Sequence, residues 1–330
     1  MLVVTDLVKR FGTNAAVDGV SFSIREGEIF GLLGPNGAGK TTTISTISCL
    51  IEPTSGDVVV DGASVRTDCA AAKRALGIVP QDIALYPALT AAENLRFWAR
   101  MYGLSGSLLE ERLEEALVTA GLADRAKERI EKYSGGMKRR VNIAAGIMHH
   151  PRVLLMDEPT VGIDPQSRNH ILETVKELNR RGMTVVYTSH YMEEVEFLCD
   201  RVGIMDHGKL IAIGTVDELK RLVGDDNVIS VRVSELPAGV LDALRALPGV
   251  DSASSAAGTP EEAATEAESD ETAPADTTAT IEVLSQDSGA VIASVVTALA
   301  ALDVRVLAIE VREPNLESVF LHLTGKSLRD

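Results

Sequence analysis

A run of glycines around a single lysine is the part of this sequence best suited to holding phosphate groups. Residues 34–42 read GPNGAGKTT and satisfy the pattern G-x-x-x-x-G-K-[ST]. Glycines let the backbone approach a polyphosphate closely, with its N–H groups turned inward. We expect Lys40 to reach the β- and γ-phosphates of a nucleotide and the Thr41 hydroxyl to ligate Mg²⁺. The predicted nucleotide-binding residues of this run are Gly34, Pro35, Asn36, Gly37, Ala38, Gly39, Lys40, Thr41 and Thr42.

An acidic pair ends the apolar run VLLMDEP at residues 153–159. Asp157 closes a predicted buried strand, where a carboxylate is suited to holding Mg²⁺ directly or through water. The neighbouring Glu158 is suited to polarising a water molecule for attack on a phosphate. Acidic pairs are common on solvated turns, but together with the glycine run this pair predicts hydrolysis of a nucleotide.

Two further polar residues follow apolar runs. Gln81 comes after LGIVP and His190 after VVYTS. A lone Gln or His in a loop is often a surface residue, but ligands of parallel sheets bind at the carboxyl ends of strands. We therefore interpret Gln81 as a link between Mg²⁺ and the attacking water, and His190 as a hydrogen-bond partner of the γ-phosphate. The remaining histidines are interpreted as ordinary surface or core residues: His149, His150, His170, His207 and His322.

A second glycine run, YSGGMKRR at residues 133–140, opens a predicted helix. Ser134 and the N–H groups of Gly135 and Gly136 at the helix start would form a second anion site. One nucleotide does not need two separate phosphate sites from one chain. The run therefore predicts a head-to-tail dimer, in which each copy closes over the nucleotide held by the other subunit.

The elements that position these motifs alternate between strands and helices. Short apolar runs without polar alternation are typical of strands covered on both faces of a parallel sheet. Such runs occur at 29–33, 76–79, 153–156 and 184–188, and residues 1–11 form a predicted amphipathic strand. Helices are predicted at 40–50, 137–149 and 166–181, and residues 90–131 are predicted as a helical insertion. The pattern is that of an α/β fold.

Composition excludes several classes of protein. A chain of 330 residues is long for one domain and comfortable for two. The net charge of −16 argues against nucleic-acid binding, which needs clustered Lys and Arg. The three cysteines are too few and too scattered for a disulfide framework. No window reaches the ~18 apolar residues needed to cross a bilayer, so we expect any membrane span to come from another protein.

The segment 251–280 differs from the rest of the chain. It carries eight acidic residues, no basic residue, and no Leu, Ile, Val or aromatic residue. Such a stretch buries too little apolar surface to order itself, so we predict a disordered loop at about 252–279. Around it, the pattern predicts strand 228–234, helix 238–246, a short strand near Val250, strand 281–284, helix 290–301, strand 304–311 and helix 316–323. The βαββαβ order predicts a small ferredoxin-like α+β domain.

In this order, the motifs resemble those of the ATP-binding subunits of ABC transporters, over about residues 1–220. The matching elements are Walker A at 34–42, the Q-loop at Gln81, the signature at 133–137, Walker B at 153–157, the catalytic Glu158, the D-loop at 162–164 and the switch residue His190. The resemblance implies a P-loop ATPase fold with a parallel sheet core, an antiparallel β subdomain and a helical subdomain at about 86–135. It assigns 221–330 to a C-terminal accessory or dimerisation domain. It also implies that Phe11 stacks on adenine, that Asp164 contributes to the nucleotide site, and that Gln81 joins Thr41 and Asp157 at Mg²⁺.

Two features resemble the export branch of daunorubicin-resistance type. The signature reads YSGGM rather than the commoner LSGGQ, and the C-terminal EPNLESVFLHLTG at 313–325 matches that branch's extra domain. The resemblance implies ATP and Mg²⁺ as cofactors and a separate transmembrane permease as partner. It also implies a homodimer or pseudo-dimer of ATPase subunits, no nucleic acid, and membrane contact only through the permease. The expected location is cytoplasmic, on the inner face of the cell membrane.

Three alternatives stay open at this point. One is a soluble ABC-type ATPase without a permease, although the single cassette and acidic composition argue against it. Another is a regulatory nucleotide-binding module, although Glu158 and His190 argue for hydrolysis. The third concerns a group of apolar side chains that either line a groove for a permease helix or form the core of the helical insertion: Ile83, Leu85, Tyr86, Phe97 and Trp98. The transported cargo is not readable from these residues. Import also stays open, since the cassette itself does not state direction and only the C-terminal domain favours export.

Overall fold

A computed structural model describes residues 1–223, 227–237, 239–256, 279–285, 288–312 and 315–324. The chain divides into two compact units, Met1–Leu219 with Phe320–Asp330, and Lys220–Val319. Most of the predicted acidic loop, at 257–278, lies outside the described residues, as do 313–314 and 325 of the exporter-like C-terminal motif. The assignment of the second unit as an accessory domain stays a prediction.

The first unit contains ten strands and eight α-helices among its described residues. In chain order they are β1 (Leu2–Phe11), β2 (Asn14–Ile24), β3 (Ile29–Leu33), α1 (Lys40–Ile47), β4 (Ser55–Val60), β5 (Ala63–Ser64), α2 (Cys69–Ala75), β6 (Leu76–Val79), α3 (Ala91–Met101), α4 (Gly106–Thr119), α5 (Gly135–Ile147), β7 (Val153–Asp157), α6 (Pro165–Arg180), β8 (Thr184–Ser189), α7 (Met192–Leu198), β9 (Arg201–Asp206), β10 (Lys209–Gly214) and α8 (Val216–Lys220).

A six-stranded sheet forms the centre of this unit. Its order is β10-β9-β3-β8-β7-β6, and all neighbours are parallel except β9 and β10. Every residue of β3, β7 and β8 is buried, as expected for strands covered on both faces. The four runs predicted as parallel strands are β3, β6, β7 and β8, adjacent in the sheet. The predicted α/β fold with a parallel core is confirmed.

A second sheet, β2-β1-β4-β5, is antiparallel. The amphipathic strand predicted at the N-terminus is its β1, and β1 alternates between buried and exposed residues at its start. The sequence analysis did not identify β2, β4 or β5, because their polar alternation and turn residues are weak signals without the neighbouring strands. One apolar core joins both sheets and includes Leu2, Phe22, Phe30, Ile44 and Val186.

The helical insertion is less helical than predicted. Helices α3 and α4 are separated from each other by Gly103 at φ +82°, and α4 is followed by Gly121 at φ +63°. Both glycines adopt the left-handed conformation that ends helices, so residues 120–131 contain only short 3-10 turns. Thr90 and Glu93 form a capping box at the start of α3. Helices α3, α4 and α5 share one apolar core.

The second unit has a four-stranded antiparallel sheet of order β12-β13-β11-β14. Its elements are β11 (Asn227–Val233), α9 (Val240–Arg245), β12 (Ser252–Ala256), β13 (Ala279–Ser285), α10 (Ser288–Ala301) and β14 (Val306–Arg312). Helix α11 (Leu316–Thr324) begins in this unit and ends in the first. Residues 252–256 and 279, predicted as the ends of the acidic loop, therefore belong to strands. Among the described residues, no helix is long and apolar enough to cross a bilayer.

Candidate active site

The predicted functional residues of the sheet lie beyond the carboxyl ends of adjacent parallel strands. The glycine run follows β3, Gln81 follows β6, Glu158 follows β7 and His190 follows β8. Parallel strands place their carboxyl ends at one edge of a sheet, which is where ligands bind in this class of fold. Residues separated by more than a hundred positions in the chain are thereby brought to one edge.

The glycine run adopts the conformation that its glycines permit. Gly37 and Gly39 have φ of +83° and +102°, values that L side chains rarely adopt. A Cβ on Gly39 would lie 2.5 Å from the carbonyl oxygen of Ala16, and one on Gly34 would lie 2.3 Å from that of Met205. Backbone cannot move aside as a flexible side chain can, so both glycines are required by close approach.

Lys40 is buried at the start of α1, with its side chain 4% exposed. Its Nζ donates to the carbonyl oxygens of Gly34 at 2.7 Å and Pro35 at 3.1 Å. It also lies 3.1 Å from Oε1 of Glu158, whose side chain is 8% exposed. These contacts hold the buried ammonium in position, because a buried charge without partners would be costly.

Asp157 and Thr41 supply oxygens that fit a magnesium ion. The Thr41 hydroxyl donates to Oδ1 of Asp157 at 3.3 Å, and Thr188 donates to the same oxygen at 2.7 Å. Among the described residues, no three His, Cys, Asp or Glu side chains converge on a metal-sized site. A hydroxyl and one carboxylate suit Mg²⁺, which is commonly bound through one or two carboxylates together with phosphates and water.

Glu158 and His190 form a hydrogen-bonded pair. The Glu158 Oε2 lies 3.2 Å from His190 Nδ1, and the glutamate side chain is almost fully buried. Glu158 has φ +45°, a left-handed conformation that costs a non-glycine residue about 1–2 kcal/mol. Its backbone N–H donates to the Thr188 hydroxyl at 2.9 Å, which helps to hold this conformation. The carboxylate is thus fixed between an ammonium and an imidazole.

A cavity of about 590 Å³ opens in front of this group. It is lined by many of the predicted site residues: Phe11, Pro35, Asn36, Gly37, Ala38, Gly39, Lys40, Thr41, Thr42, Gln81 and Glu158. Gly34, Asp157 and His190 are not in its lining, but each is hydrogen-bonded to a residue that is. Phe11 is 53% exposed, and the Lys9 ammonium lies 5.1 Å from its ring centroid.

Five lining residues were missed by the sequence analysis: Asn14, Ala15, Ala16, His207 and Gly208. His207 is a surface residue, as interpreted, with a side chain 79% exposed, and it also lies at the cavity. It reaches the site because the Gly208 N–H donates to the Ala38 carbonyl at 3.0 Å, which ties the β9–β10 turn to the glycine run. His207 and Gly208 form a two-residue hairpin turn, with φ of +45° and +77°. The glycine could have located this turn from the sequence, but nothing in the sequence shows that the turn contacts the glycine run.

The second glycine run lies outside this cavity. Ser134 caps α5, accepting from the Met137 N–H at 3.3 Å, and both Ser134 and Gly135 are exposed. Gly136 is buried, and a Cβ there would lie 2.1 Å from the Ser167 Oγ. Asp164 is exposed and caps α6; the Ser167 N–H donates to its carboxylate at 2.9 Å and lowers its pKa. Ser134, Gly135, Gly136 and Asp164 are therefore not brought to the Lys40 site within one chain.

Side chains of helix α5 instead bind the backbone of the Gln81 loop. Arg139 is buried and donates to the carbonyl oxygens of Pro80 at 2.7 Å and Gln81 at 2.5 Å. Asn142 Oδ1 accepts from the Ala84 N–H at 3.1 Å, and Trp98 Nε1 donates to the Ala84 carbonyl at 3.2 Å. The second glycine run and the Gln81 loop are therefore connected through one helix.

The apolar side chains beyond Gln81 divide between the two interpretations. Leu85 and Trp98 pack against the core of α3, α4 and α5. Ile83 and Tyr86 are exposed, and the Tyr86 ring contacts Phe97 edge-on at 5.0 Å. Part of this group is therefore core, and part forms an aromatic surface next to the Gln81 loop.

The chain is similar to one family model and to several known proteins. The family model described as ABC transporter matches residues 17–161. Over 330 residues the chain is 49% identical to the linearmycin resistance ATP-binding protein of Bacillus subtilis, with 100% of both chains covered. It is 35% identical over 321 residues to a daunorubicin resistance ATP-binding protein of Streptomyces coeruleorubidus, covering 97% of this chain and 95% of the relative. It is 41% identical over 226 residues to the doxorubicin resistance ATP-binding protein of Mycobacterium tuberculosis, covering 68% of each.

Solved structures show the same fold. The ATP-binding subunit of an ABC transporter superposes with a TM-score of 0.62 at 32% identity, covering 68% of this chain and 93% of that one. A dimeric ATP-binding cassette in a post-hydrolysis state, bound to ADP and Pi, superposes with a TM-score of 0.60 at 29% identity, covering 65% of this chain and 98% of the other.

Proposed function

Because this chain belongs to the ATP-binding proteins of the ABC transporter family, we propose that it is the ATP-hydrolysing subunit that powers export through a separate membrane permease. The observation that carries this proposal is the contact of one buried carboxylate, Glu158, with both Lys40 and His190 at the edge of a nucleotide-sized cavity. A module that only bound nucleotide would not need an acid placed to activate water beside the phosphate site.

The proposed reaction is in-line attack of water on the γ-phosphate of ATP. The water oxygen bonds to the γ-phosphorus, the bond to the bridging oxygen breaks, and ADP leaves with that oxygen. Lys40 turns from Glu158 to the β- and γ-phosphates when the nucleotide binds, which frees the carboxylate to orient the water and accept its proton. His190 then holds the γ-phosphate, and Gln81 contacts the water and the metal site. Positioning and charge stabilisation account for most of the rate, since phosphoryl transfer needs little covalent chemistry from a protein.

Thr41 and Asp157 would hold Mg²⁺, with Gln81 beside them. When bound, the ion neutralises charge on the β- and γ-phosphates. The buried Thr188 hydroxyl donates to Asp157 Oδ1 and so keeps that carboxylate facing Thr41.

A second subunit would complete each site. Ser134 and Gly135 are exposed at the start of α5 and are not among the described residues that line the chain's own cavity. A head-to-tail dimer would place them on the γ-phosphate held by the partner's Lys40 region, with Asp164 alongside. The similar cassette bound to ADP and Pi is itself a dimer, which supports this arrangement. We assign the second unit, within 221–330, to dimer support.

The permease would contact the surface beside the Gln81 loop. Tyr86 is 47% exposed and its ring contacts Phe97, and Ile83, three residues earlier, is 37% exposed. Apolar side chains grouped at a surface are suited to binding another protein. Arg139 of α5 is hydrogen-bonded to the same loop. Closure of the dimer on ATP would therefore move this surface. We propose that the chain reaches the inner face of the cell membrane through this contact with the permease.

The proposed cargo class is drug-like, as the names of the relatives indicate. The chain matches a linearmycin resistance protein over its full length, and a daunorubicin and a doxorubicin resistance protein over most of theirs. We expect the cargo to contact the permease and not this chain. ATP-binding subunits can therefore be similar in sequence although the compounds in their names differ.

Substitution of the proposed base tests the hydrolytic role. We expect Glu158→Gln to lower ATP turnover by about 10²–10⁴-fold while ATP still binds, because the amide cannot accept the proton. Turnover is measured by phosphate release and binding by equilibrium titration. The control is Glu177→Gln on the exposed face of α6, which should keep wild-type turnover. Wild-type turnover in the Glu158 variant would overturn the assignment.

The permease proposal needs a different experiment. We expect the chain to co-purify with the membrane protein encoded by a neighbouring gene, and its ATPase rate to rise in that complex. A Tyr86→Ala chain should keep its basal rate and lose that rise. If the tagged chain brought down no membrane protein and hydrolysed ATP unchanged in membranes, an ATPase without a permease would be favoured.

A further inference from the structure

A buried carboxylate that the mechanism does not use lies behind the catalytic pair. Glu194, on α7, has a side chain only 3% exposed. Its Oε2 accepts three hydroxyl hydrogen bonds, from Thr160 at 2.8 Å, Tyr187 at 2.8 Å and Ser189 at 3.0 Å. The Arg168 Nε lies 3.4 Å from Oε1. We call these five residues the Glu194 cluster.

The donors of this cluster flank the two catalytic residues in the chain. Ser189 immediately precedes His190, and its hydroxyl also accepts the Tyr191 N–H at 2.9 Å. One hydroxyl therefore fixes the backbone on both sides of His190. Thr160 lies two residues after Glu158 and is fully buried. The Glu194 carboxylate thus connects the segment that contains Glu158 with the segment that contains His190.

Arg168 extends the connection to the other side of His190 and to the D-loop. Its guanidinium lies 4.7 Å from the Tyr191 ring centroid, in a cation–π arrangement. The backbone N–H of Arg168 donates to the carbonyl oxygen of Asp164 at 2.9 Å, in the first turn of α6. The D-loop at 162–164 therefore lies between two residues that contact Glu194. Thr160 precedes the loop, and Arg168 follows it at the start of α6.

Burial makes this arrangement rigid. A buried carboxylate is costly unless hydrogen bonds and charges compensate it, so loss of any one donor is expected to disturb the whole cluster. Burial also raises the pKa of the Tyr187 hydroxyl well above its ordinary value, so that group stays a hydrogen-bond donor. None of the cluster residues lines the nucleotide cavity.

We propose that Glu194 is a positioning residue, which sets the geometry of the Glu158–His190 pair and couples it to the D-loop. This inference rests on the proposed ATPase function and deepens it. A change in the D-loop on dimer closure moves Thr160 and Arg168, and Glu194 transmits that movement to Ser189 and so to His190. Loss of the cluster leaves the ATP pocket intact and misplaces the groups that act on the γ-phosphate.

The test uses the full chain and steady-state ATPase kinetics. Ser189→Ala and Thr160→Val each remove one donor while keeping side-chain size close. We expect kcat to fall about tenfold or more in each, because small misplacements of catalytic groups are costly. KM for ATP should stay within about twofold, because the pocket is untouched. Ser189→Thr, which restores a hydroxyl, should recover most of the lost kcat.

Controls separate positioning from general loss of stability. Thr174→Val removes another buried threonine hydroxyl, which donates to the His170 carbonyl on α6, and should leave kcat unchanged. Thermal unfolding is measured for every variant, and Glu194→Gln is included if it folds. Wild-type kcat in both Ser189→Ala and Thr160→Val, or an equal fall in Thr174→Val, would overturn the inference.

The same experiment keeps the two proposals distinct. If the wild-type chain hydrolyses ATP and Glu158→Gln does not, while Ser189→Ala is normal, only the role of Glu194 is rejected. If Glu158→Gln hydrolyses ATP normally, the proposed function fails and the cluster has no catalytic pair to position.

Discussion

The two glycine runs of this chain look alike in sequence and differ in the structure. Each precedes a helix N-terminus, where backbone N–H groups favour an anion. The first, at 34–42, holds the buried Lys40 and opens on a cavity of about 590 Å³. The second, at 133–137, leaves Ser134 and Gly135 exposed and lies outside that cavity. The comparison indicates that one run borders a cavity within its own chain, whereas the other has no such cavity and is proposed to complete the site of a partner chain.

The cations of the two runs also serve different purposes. Lys40 lies beside Glu158, the proposed base, at the place where phosphate charge would be. Arg139 and Arg140, just after the second run, donate to backbone carbonyls of the Gln81 loop and of Ala120 instead. Burial lowers the pKa of Arg139. A basic run in sequence is therefore no guide to an anion site when the guanidinium groups are used to hold loops.

The largest effect is expected when each glycine run is disrupted in a different chain. Lys40→Ala should abolish hydrolysis, since it removes the buried cation and leaves Glu158 without it. Ser134→Arg should abolish it by blocking the exposed run, while ATP binding is kept. When the two inactive chains are mixed, up to about a quarter of wild-type activity should return, because half of the random dimers are mixed and each has one intact site.

The mixing experiment needs two controls. Mixing each variant with itself should recover no activity, and Lys209→Ala, at an exposed lysine, should behave as wild type. If the mixed chains stay inactive while each still dimerises with wild type, the second run does not act on the partner's nucleotide.

A smaller effect is expected from the glycines of the second run. A Cβ on Gly136 would clash with Ser167 of the same chain, whereas one on Gly135 would lie 3.8 Å from Ile163 Cδ1, an ordinary contact. Gly136→Ala should therefore destabilise the fold by about 1–3 kcal/mol. Gly135→Ala should keep stability and lose turnover, if a partner's phosphate must approach there.

Denaturant unfolding and ATPase rates distinguish these two glycines. Adding Ser167→Gly to Gly136→Ala should restore stability, because it removes the clashing side chain. Equal stability of Gly135→Ala and Gly136→Ala would contradict the packing explanation.

The smallest effect concerns the cations that follow the second run. Arg139→Gln should cost about 1–3 kcal/mol of folding free energy, because two buried carbonyls lose their donor. Its affinity for ATP should change by less than about twofold, since the guanidinium binds no phosphate. Lys138→Gln is the control and should match wild type in both measurements. A large loss of ATP affinity in Arg139→Gln would make this arginine part of the anion site.

Much of the fold could be predicted because its signals are local. The buried strands predicted at 29–33, 76–79, 153–156 and 184–188 are short apolar runs, and each leads into residues of the proposed site. Glycine at φ > 0 and proline or acidic residues at helix starts mark the ends of elements. The strands β2, β4 and β5 were not identified, because an antiparallel strand with one solvated face depends on its neighbours for its identity.

The rest of the site depends on contacts between distant segments. His207 reaches the cavity only because its turn packs under the glycine run through Ala38. The Glu194 cluster draws on residues from 160 to 194, and no spacing in the sequence distinguishes Glu194 from its neighbours Glu193 and Glu196. The arginine contacts with Pro80 and Gln81 join residues nearly sixty positions apart.

The sequence by itself determined the chemistry of this protein: which residues can cradle phosphate, hold a metal ion and activate water, since those properties belong to side-chain types at fixed local spacing. Only the tertiary structure decided which glycine run is closed around a cavity and which is left exposed. It also decided that a buried carboxylate lies behind the catalytic pair. The physical reason is that burial and hydrogen-bond partners are properties of packing, and packing brings together residues that the chain keeps far apart.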